Sequence, residues 1–239
     1  MKSNINRDTS DRFAESIKRF IQSAESSGKQ SYHFSVLIAQ FKIQRRRIYD
    51  FLNVIEATGC CVRSIPETIS WLGFDNITAT LNSYQIKYKV NQAYLPLSKI
   101  VPIEICISLN TLTITLLVCF HALQIKCLDV KELAHFISRD NGRYKTTLCK
   151  LYQIIHILEA MGIILKKVKI GEIWIADQYY NPLPLTTTTE LVNPFSIDGL
   201  INRHIIDTEK VLQQRRSDFI QFAKQSQFQQ IPKAIPGPI

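Results

Sequence analysis

The chain contains the same segment twice. Residues 46–71 read RRIYDFLNVIEATGCCVRSIPETISW and residues 149–174 read CKLYQIIHILEAMGIILKKVKIGEIW, aligned without a gap at a constant offset of 103 residues. Tyr49 meets Tyr152, and Glu56, Ala57, Gly59 and Trp71 meet Glu159, Ala160, Gly162 and Trp174. Most other pairs exchange one aliphatic residue for another. An internal repeat of this kind asks the chain to build one supersecondary unit twice. With 239 residues, 46% of them hydrophobic, there is enough apolar material for two small cores.

Each copy resolves into the same elements. Ile48, Phe51, Leu52 and Ile55 follow the i, i+3, i+4, i+7 spacing that puts apolar side chains on one helical face. Gly59 is placed to end that helix, because glycine adopts positive φ without strain. Two short apolar runs, Cys60 to Arg63 and Thr68 to Trp71, flank Ser64 to Glu67 and its proline, which predicts a β-hairpin. The second copy repeats this with Ile163 to Lys169, a turn at Ile170 and Gly171, and Glu172 to Ile175. Upstream, Arg12 to Glu25 carries Phe13, Ile17, Phe20 and Ile21 on one face and is followed by a short apolar helix from Phe34 to Phe41. Leu112 to Leu123 and Val130 to Ile137 play the same parts later. Three helices and a hairpin make the winged-helix arrangement, a helix-turn-helix variant whose third helix enters the DNA major groove while the hairpin lies beside the backbone.

The expected fold is α+β, mainly α. A winged-helix DNA-binding domain over 10–75 is followed by a connector over 76–103, with one short strand or helix of its own, and by a degenerate winged helix over 104–181. In the degenerate copy's first helix, Leu117-Val118-Cys119-Phe120 is aligned with the segment ending Lys18-Arg19-Phe20. The run NPLPLTTTTE marks a linker over 182–197. A polar helix is expected over 198–228, with Ile201, Ile205, Leu212, Phe219 and Phe222 near helical spacing, and a disordered tail over 229–239.

Composition narrows the function. A net charge of +9 and a pI near 9.3 favour a polyanionic partner. Cys60, Cys61, Cys106, Cys119, Cys127 and Cys149 include no C-x-x-C pair, and no histidine completes a zinc cluster, so no metal and no cofactor are expected. Most of these thiols sit in apolar runs, as reduced, buried cysteines of a nuclear or cytosolic protein do. The polar segment from Met1 to Ser10 does not read as a signal peptide. The uncharged run from Ile105 to Ile125 has the length of a membrane span, but Ser108, Asn110, Thr111, Thr113, Thr115, His121 and Gln124 favour a buried helix and no membrane partner. The histidines at 33, 121, 135, 156 and 204 form no constellation with a nucleophile, so the chain is expected to be no enzyme and to take no small-molecule substrate.

Arg45, Arg46 and Arg47 fall in the first turn of the third helix, opposite its apolar face. A guanidinium donates two parallel hydrogen bonds to guanine O6 and N7, which makes arginine the usual reader of G·C pairs. The sequence RRRIYDFLNVIEATG resembles the recognition helix of the E-two-F/DP family of cell-cycle transcription regulators. The resemblance is carried by Arg46, Arg47, Tyr49, Asp50, Asn53, Val54, Glu56 and Trp71, and upstream by Arg12-Phe13 and Lys18-Arg19-Phe20. It implies double-stranded DNA as partner and the nucleus as location. Arg46 and Arg47 would contact guanines of a GC-containing promoter element. Arg12, Lys18, Arg19 and Tyr49 would hold sugar and phosphate, with Arg45, Asn53 and Arg63 as further backbone or orienting residues and Asp50 orienting an arginine.

The second copy departs from that signature. Cys149, Lys150, Leu151, Tyr152 and Gln153 stand where it asks for Arg-Arg-x-Tyr-Asp. Arg143, Lys145, Lys150, Tyr152, Lys166, Lys167 and Lys169 are left as phosphate contacts, which carry little base information. An ordinary solvated hairpin face is the equal alternative for the wing lysines. Two winged helices in one chain resemble the atypical branch of the family, which binds DNA without a separate DP partner; a dimerisation partner or self-association stays open. The runner-up function is a protein-interaction scaffold that uses the degenerate copy and the C-terminal helix.

Overall fold

The computed structural model describes residues 2–28, 31–65, 67–101, 107–139, 142–167, 169–186 and 207–228. The expected linker from 187, the start of the expected C-terminal helix (198–206), the tail (229–239), Cys106 and His204 lie outside the described residues. The first copy comprises α1 (Lys2–Ser27), β1 (Ser31–His33), α2 (Phe34–Phe41), α3 (Arg45–Ala57), β2 (Cys61–Ile65) and β3 (Thr68–Trp71). Two helices follow, α4 (Asp75–Lys87) and α5 (Leu97–Ile100). The second copy comprises α6 (Leu109–Leu123), β4 (Cys127–Asp129), α7 (Val130–Ile137), α8 (Tyr144–Ala160), β5 (Ile164–Lys166) and β6 (Glu172–Ile175). A 3-10 turn at Asp177–Tyr179 and a last helix, α9 (Thr208–Phe228), complete a mainly helical α+β chain.

In the first copy the apolar stripes of α1, α2 and α3 converge on Phe20. Tyr32, Phe41, Phe51 and Trp71 all meet its ring edge-on at centroid distances of 5.3 to 5.6 Å, a geometry that ring quadrupoles favour. Trp71 Nε1 donates to Glu25 Oε1 at 2.9 Å, so the buried indole keeps a partner. Each wing is a three-stranded sheet rather than a plain hairpin, because β1 pairs with β3 and β4 with β6, giving the orders β1-β3-β2 and β4-β6-β5. Three residues are too few to show a strand's alternation, which is why the sequence hid them.

The structure also corrects how the copies correspond. The offset of 103 holds through the third helices, where Cys60 N bonds to Ile55 O and Ile163 N to Leu158 O. In the wings it slips by one: Cys61 lies opposite Trp71, whereas Ile164 lies opposite Ile175. The counterpart of Trp71 is therefore Ile175, each 2% exposed, and Trp174 stands where Ser70 does, on the other face of its strand. A single residue of slip is enough, since neighbouring side chains of a strand point to opposite faces. The first helices correspond through the left-handed caps at Gly28 and Gln124, so Leu116, not Phe120, takes the place of Phe20, and Ile114-Thr115 that of Lys18-Arg19. Helix α8 starts four residues earlier than α3 does, at Tyr144 rather than at Leu148, the counterpart of Arg45. The extra turn is held by Tyr144 stacked on His135 at 3.8 Å.

The two copies share one apolar core. Helix α1 packs on α8, α6 packs on α3, and α3 meets α8. Under the repeat the first two contacts exchange and the third maps onto itself, which is the pattern of an isologous twofold interface. Val54 and its counterpart Ile157 lie off the core stripe of their helices and are both buried, at 0% and 1% exposure. On one side Phe13 stacks on His156, ring centroids 6.2 Å apart; on the other, Asn110, beside the counterpart of Phe13, donates from Nδ2 to Asn53 O at 3.3 Å. Helix α6 is also covered by α4 and α9, so it is buried almost all round. This accounts for the long uncharged run; among the described residues no helix is long and apolar enough to cross a membrane.

The segments outside the copies act as braces. The connector holds a thirteen-residue helix, more than the sequence suggested, and it covers the end of α3: Tyr84 Oη donates to Ala57 O at 2.9 Å and Asn76 Nδ2 to Gly59 O at 2.7 Å. The start of the expected linker is pinned, with Leu183 N on Gln85 Oε1 at 2.8 Å and Thr186 N on Asn91 O at 2.6 Å. Helix α9 sets Phe219 against Phe136 at 5.3 Å. Its Arg215, 2% exposed, donates to the carbonyls of Val90, Gln92, Leu95 and Ala122. Burial lowers the Arg215 pKa to about 10, which still leaves it charged at neutral pH. Arg216 donates to Leu123 O at 3.0 Å and Gln124 O at 3.1 Å, at the C-terminal end of α6, where cations are favoured.

These contacts set the response of the fold to substitution and to pH. Gly59 (φ +79) has Thr80 Oγ1 only 2.0 Å from where a Cβ would sit, whereas nothing lies within 4 Å of one at Gly162 (φ +73). Both Gly→Ala changes carry the strain of positive φ, about 1–2 kcal/mol, but Gly59→Ala must also displace α4, so urea unfolding will show the larger loss for Gly59→Ala. Burial lowers the pKa of His121 below its ordinary 6.5. Below that pH the unfolded chain takes up a proton that the folded one refuses, so its contribution to stability falls as the pH drops, by at most ~1.4 kcal/mol per unit. Unfolding between pH 7 and 5 will show a shallower fall for His121→Gln than for the unaltered chain.

Candidate nucleic-acid interface

Arg45, Arg46 and Arg47 form the first turn of α3 and are all exposed, while Ile48 behind them is fully buried. The turn contains no acidic residue, and Gln44 supplies no side-chain cap. Three guanidinium groups thus stand at the positive end of the helix dipole, where cations are disfavoured and free backbone N–H groups point outward. A polyanion relieves both conditions at once.

The three arginines differ in what holds them. Arg45 Nη2 donates to Glu67 Oε1 at 3.1 Å, tying the start of the helix to the wing turn. Arg47 Nη1 donates to Asp50 Oδ2 at 3.2 Å, one turn along the same helix. Arg46 makes no hydrogen bond or ion pair among the described residues. Tyr49 is 44% exposed and rests edge-on against Phe34 at 5.7 Å. On β2, Arg63 donates to Asn53 Oδ1 at 2.7 Å and pairs with Glu56 at 3.2 Å, fastening the wing to the flank of α3. From α1, Arg12, Lys18 and Arg19 are exposed, and Arg19 Nη2 lies 3.5 Å from Ser16 Oγ.

Residues 14–73 match the model of the E-two-F/DP family winged-helix DNA-binding domain. The first winged helix belongs to the E-two-F/DP family. The match runs from α1 to the end of the wing and takes in the three arginines, Tyr49, Asp50 and Arg63; Arg12 and the whole second copy lie outside it. E-two-F/DP domains are DNA-binding domains of transcription factors and not enzymes, so duplex DNA is the partner this surface is built for. No curated protein matches the chain.

The second copy distributes its charge differently from the E-two-F/DP domain. Leu148, Cys149 and Lys150 take the places of Arg45, Arg46 and Arg47. Cys149 is exposed, whereas Lys150 Nζ donates to the carbonyl of Ile107. Tyr152 is 44% exposed, matching Tyr49. Arg143 lies just before α8 and Lys145 in its added turn, both exposed. Lys166 pairs with Glu159 at the place where Arg63 pairs with Glu56. Lys169 Nζ lies 2.6 Å from Glu172 Oε1, and Lys167 Nζ sits 3.6 Å over the Trp174 ring. All the wing lysines named from the sequence therefore have partners within their own hairpin or the helix beside it.

Glu67 and Glu25, which hold Arg45 and Trp71, carried no signal in the sequence, since each acts across a distance of more than twenty residues. The four described histidines take part in packing or capping: His33 caps α2, His121 is buried, and His135 and His156 stack on Tyr144 and Phe13. Among the described residues no cluster of His, Cys, Asp or Glu could hold a metal ion. Of the five described cysteines, Cys60, Cys61 and Cys119 are buried, and burial raises their thiol pKa values. In a native titration with a thiol reagent, Cys149 will react fast and those three only after denaturation; equal rates would contradict the burial.

Proposed function

We propose that this chain is a nuclear regulator of transcription that binds a GC-containing duplex element through the first turn of α3, with its own second winged helix in the place of a partner chain. Arg46 and Arg47 read guanines in the major groove, each able to form the bidentate pair that guanine O6 and N7 accept. Asp50 aims Arg47, while Arg12, Lys18, Arg19, Arg45 and Tyr49 hold sugar and phosphate. Arg63 and Asn53 keep the wing fixed against the helix. The observation that carries the reading is the exposed arginine turn on a recognition helix that is packed on two other flanks.

The exchanged contacts of α1 with α8 and α6 with α3 support a self-contained pair of winged helices needing no second DP-type chain. Since only the first copy keeps the arginines, the element read by helices is asymmetric. A protein-interaction scaffold is the second reading, favoured by the internal partners of Lys150, Lys166, Lys167 and Lys169.

The test keeps the full chain, because removing the second copy would bare Val54 and the rest of the shared face. Selection from a random duplex pool is expected to yield a GC-containing site. Arg46→Ala will then lose ~1–3 kcal/mol of discrimination, roughly 5- to 150-fold, with non-specific binding retained; full selectivity in a competition gel shift would refute its reading role. Lys18→Ala with Arg19→Ala will weaken all duplexes alike and lower the salt slope by about two. Cys149 gives a direct reading of the second copy: bound duplex should slow its alkylation, and an unchanged rate would favour the scaffold.

A further inference from the structure

Where the first copy puts its positive charge on the helix, the second puts it on the wing. The first wing turn reads Ser64-Ile65-Pro66-Glu67 and carries an acid; the second reads Lys166-Lys167-Val168-Lys169-Ile170-Gly171. The second hairpin is one residue longer, as the slip in pairing shows, and at its tip Ile170 is 98% exposed, the most exposed large apolar side chain described. Among the described residues no other element covers it. An isoleucine this exposed at a lysine-rich tip has nearly its whole apolar surface free to be buried on binding.

Two of the three lysines around it are held only by contacts that phosphate can displace. Lys166 belongs to the frame, because its pair with Glu159 repeats the Arg63–Glu56 pair of the first copy. Lys169 and Glu172 form a surface pair, and such pairs are weak enough to give way to phosphate. Lys167 is held over the outward face of Trp174, which the same one-residue slip brought there. The ammonium itself rests on the ring face, and at an exposed site such a cation–π contact is weak enough to be exchanged for phosphate. The result is an apolar tip beside two cations, on a three-stranded sheet.

We propose that the second winged helix holds DNA by this wing, with Lys167 and Lys169 on the phosphates flanking the minor groove and Ile170 set between them into the groove. The inference rests on the reading of the first copy as the base-reading half, and it names how the other half is held. An aliphatic wedge at the minor groove is a known means of gripping a duplex, and it discriminates by groove width and ease of unstacking rather than by hydrogen bonds. The repeat's twofold relation supports the placement: a duplex lying across α3 and α8 is flanked by both wings. The complete element would then join a GC half, read by arginines in the major groove, to a deformable flank on the other side.

The experiment uses the full chain and a duplex selected by it. Ile170→Ser changes no charge and no packed contact, and it is expected to lower affinity about tenfold, as burying part of an isoleucine would. Lys167→Gln with Lys169→Gln should lower the salt slope by about two. Hydroxyl-radical cleavage, which reports on the minor groove, should show a protected patch on one flank that Ile170→Ser loses while protection around the GC half remains. Ile86→Ser, at a 66% exposed position of α4, is the control and should leave both unchanged. If Ile170→Ser binds within twofold of the unaltered chain and keeps the same footprint, the wing inference is wrong while the arginine reading stands. Loss of selectivity in the unaltered chain would remove the reading itself, and with it the inference. Capture of the DNA-free chain by anionic vesicles in an Ile170-dependent way, with unchanged DNA affinity, would also overturn it.

Discussion

Helix α3 is fixed from two sides, and the rest of the molecule depends on that. Ile48, Phe51, Leu52 and Ile55 lock one stripe into the first core, while Val54 is buried on the flank that faces α6 and α8. A helix held on one stripe can still roll and shift by rotamer changes; held on two, in a close-packed interior, it has one position. What remains exposed is its first turn and Tyr49 just beyond it, so Arg45, Arg46 and Arg47 are presented by the rigidity of everything behind them. Pre-organisation of this kind lowers the ordering cost of binding, because the side chains alone have to be arrested.

The same interface explains why the second copy could lose its arginines and stay folded. Its buried positions at Leu151, Ile154, Ile155, Ile157 and Leu158 match Ile48, Phe51, Leu52, Val54 and Ile55 one for one. These residues carry the fold and the contact between copies. Positions 149 and 150 carry neither, so a cysteine and a backbone-bonded lysine are tolerated there. The added turn of α8 and the longer second wing are likewise changes at the periphery.

The braces show how the chain handles polar groups inside an apolar assembly. Arg215 is buried without a carboxylate, an arrangement that is costly for a charge unless dipoles replace its water. Four carbonyls from the α4–α5 connection and from α6 do so, and they also join α9 to two otherwise separate segments. Replacing that guanidinium by an apolar group would leave several buried carbonyls without donors, each costing about 1–3 kcal/mol. The C-terminal helix is thus part of the folded unit, from Thr208 onward, rather than an appendage.

The sequence by itself determined the three helices of each copy, their buried stripes and the exposed arginine turn, because helical periodicity and glycine stops are local properties of about twenty residues or fewer. It also carried the E-two-F/DP resemblance, since that signature lies within one helix. It could not determine β1 and β4, whose three residues acquire meaning only through pairing with β3 and β6. Nor could it place Trp174, since a gapless alignment takes no account of one extra residue in a turn, and a strand converts that residue into the opposite face. The mutual packing of the copies, the cap of α4 on α3, the partners of the wing lysines and the carbonyl cage of Arg215 were decided by tertiary structure alone. They join residues that lie far apart along the chain, and no local pattern records which of many apolar or polar groups will meet across such distances.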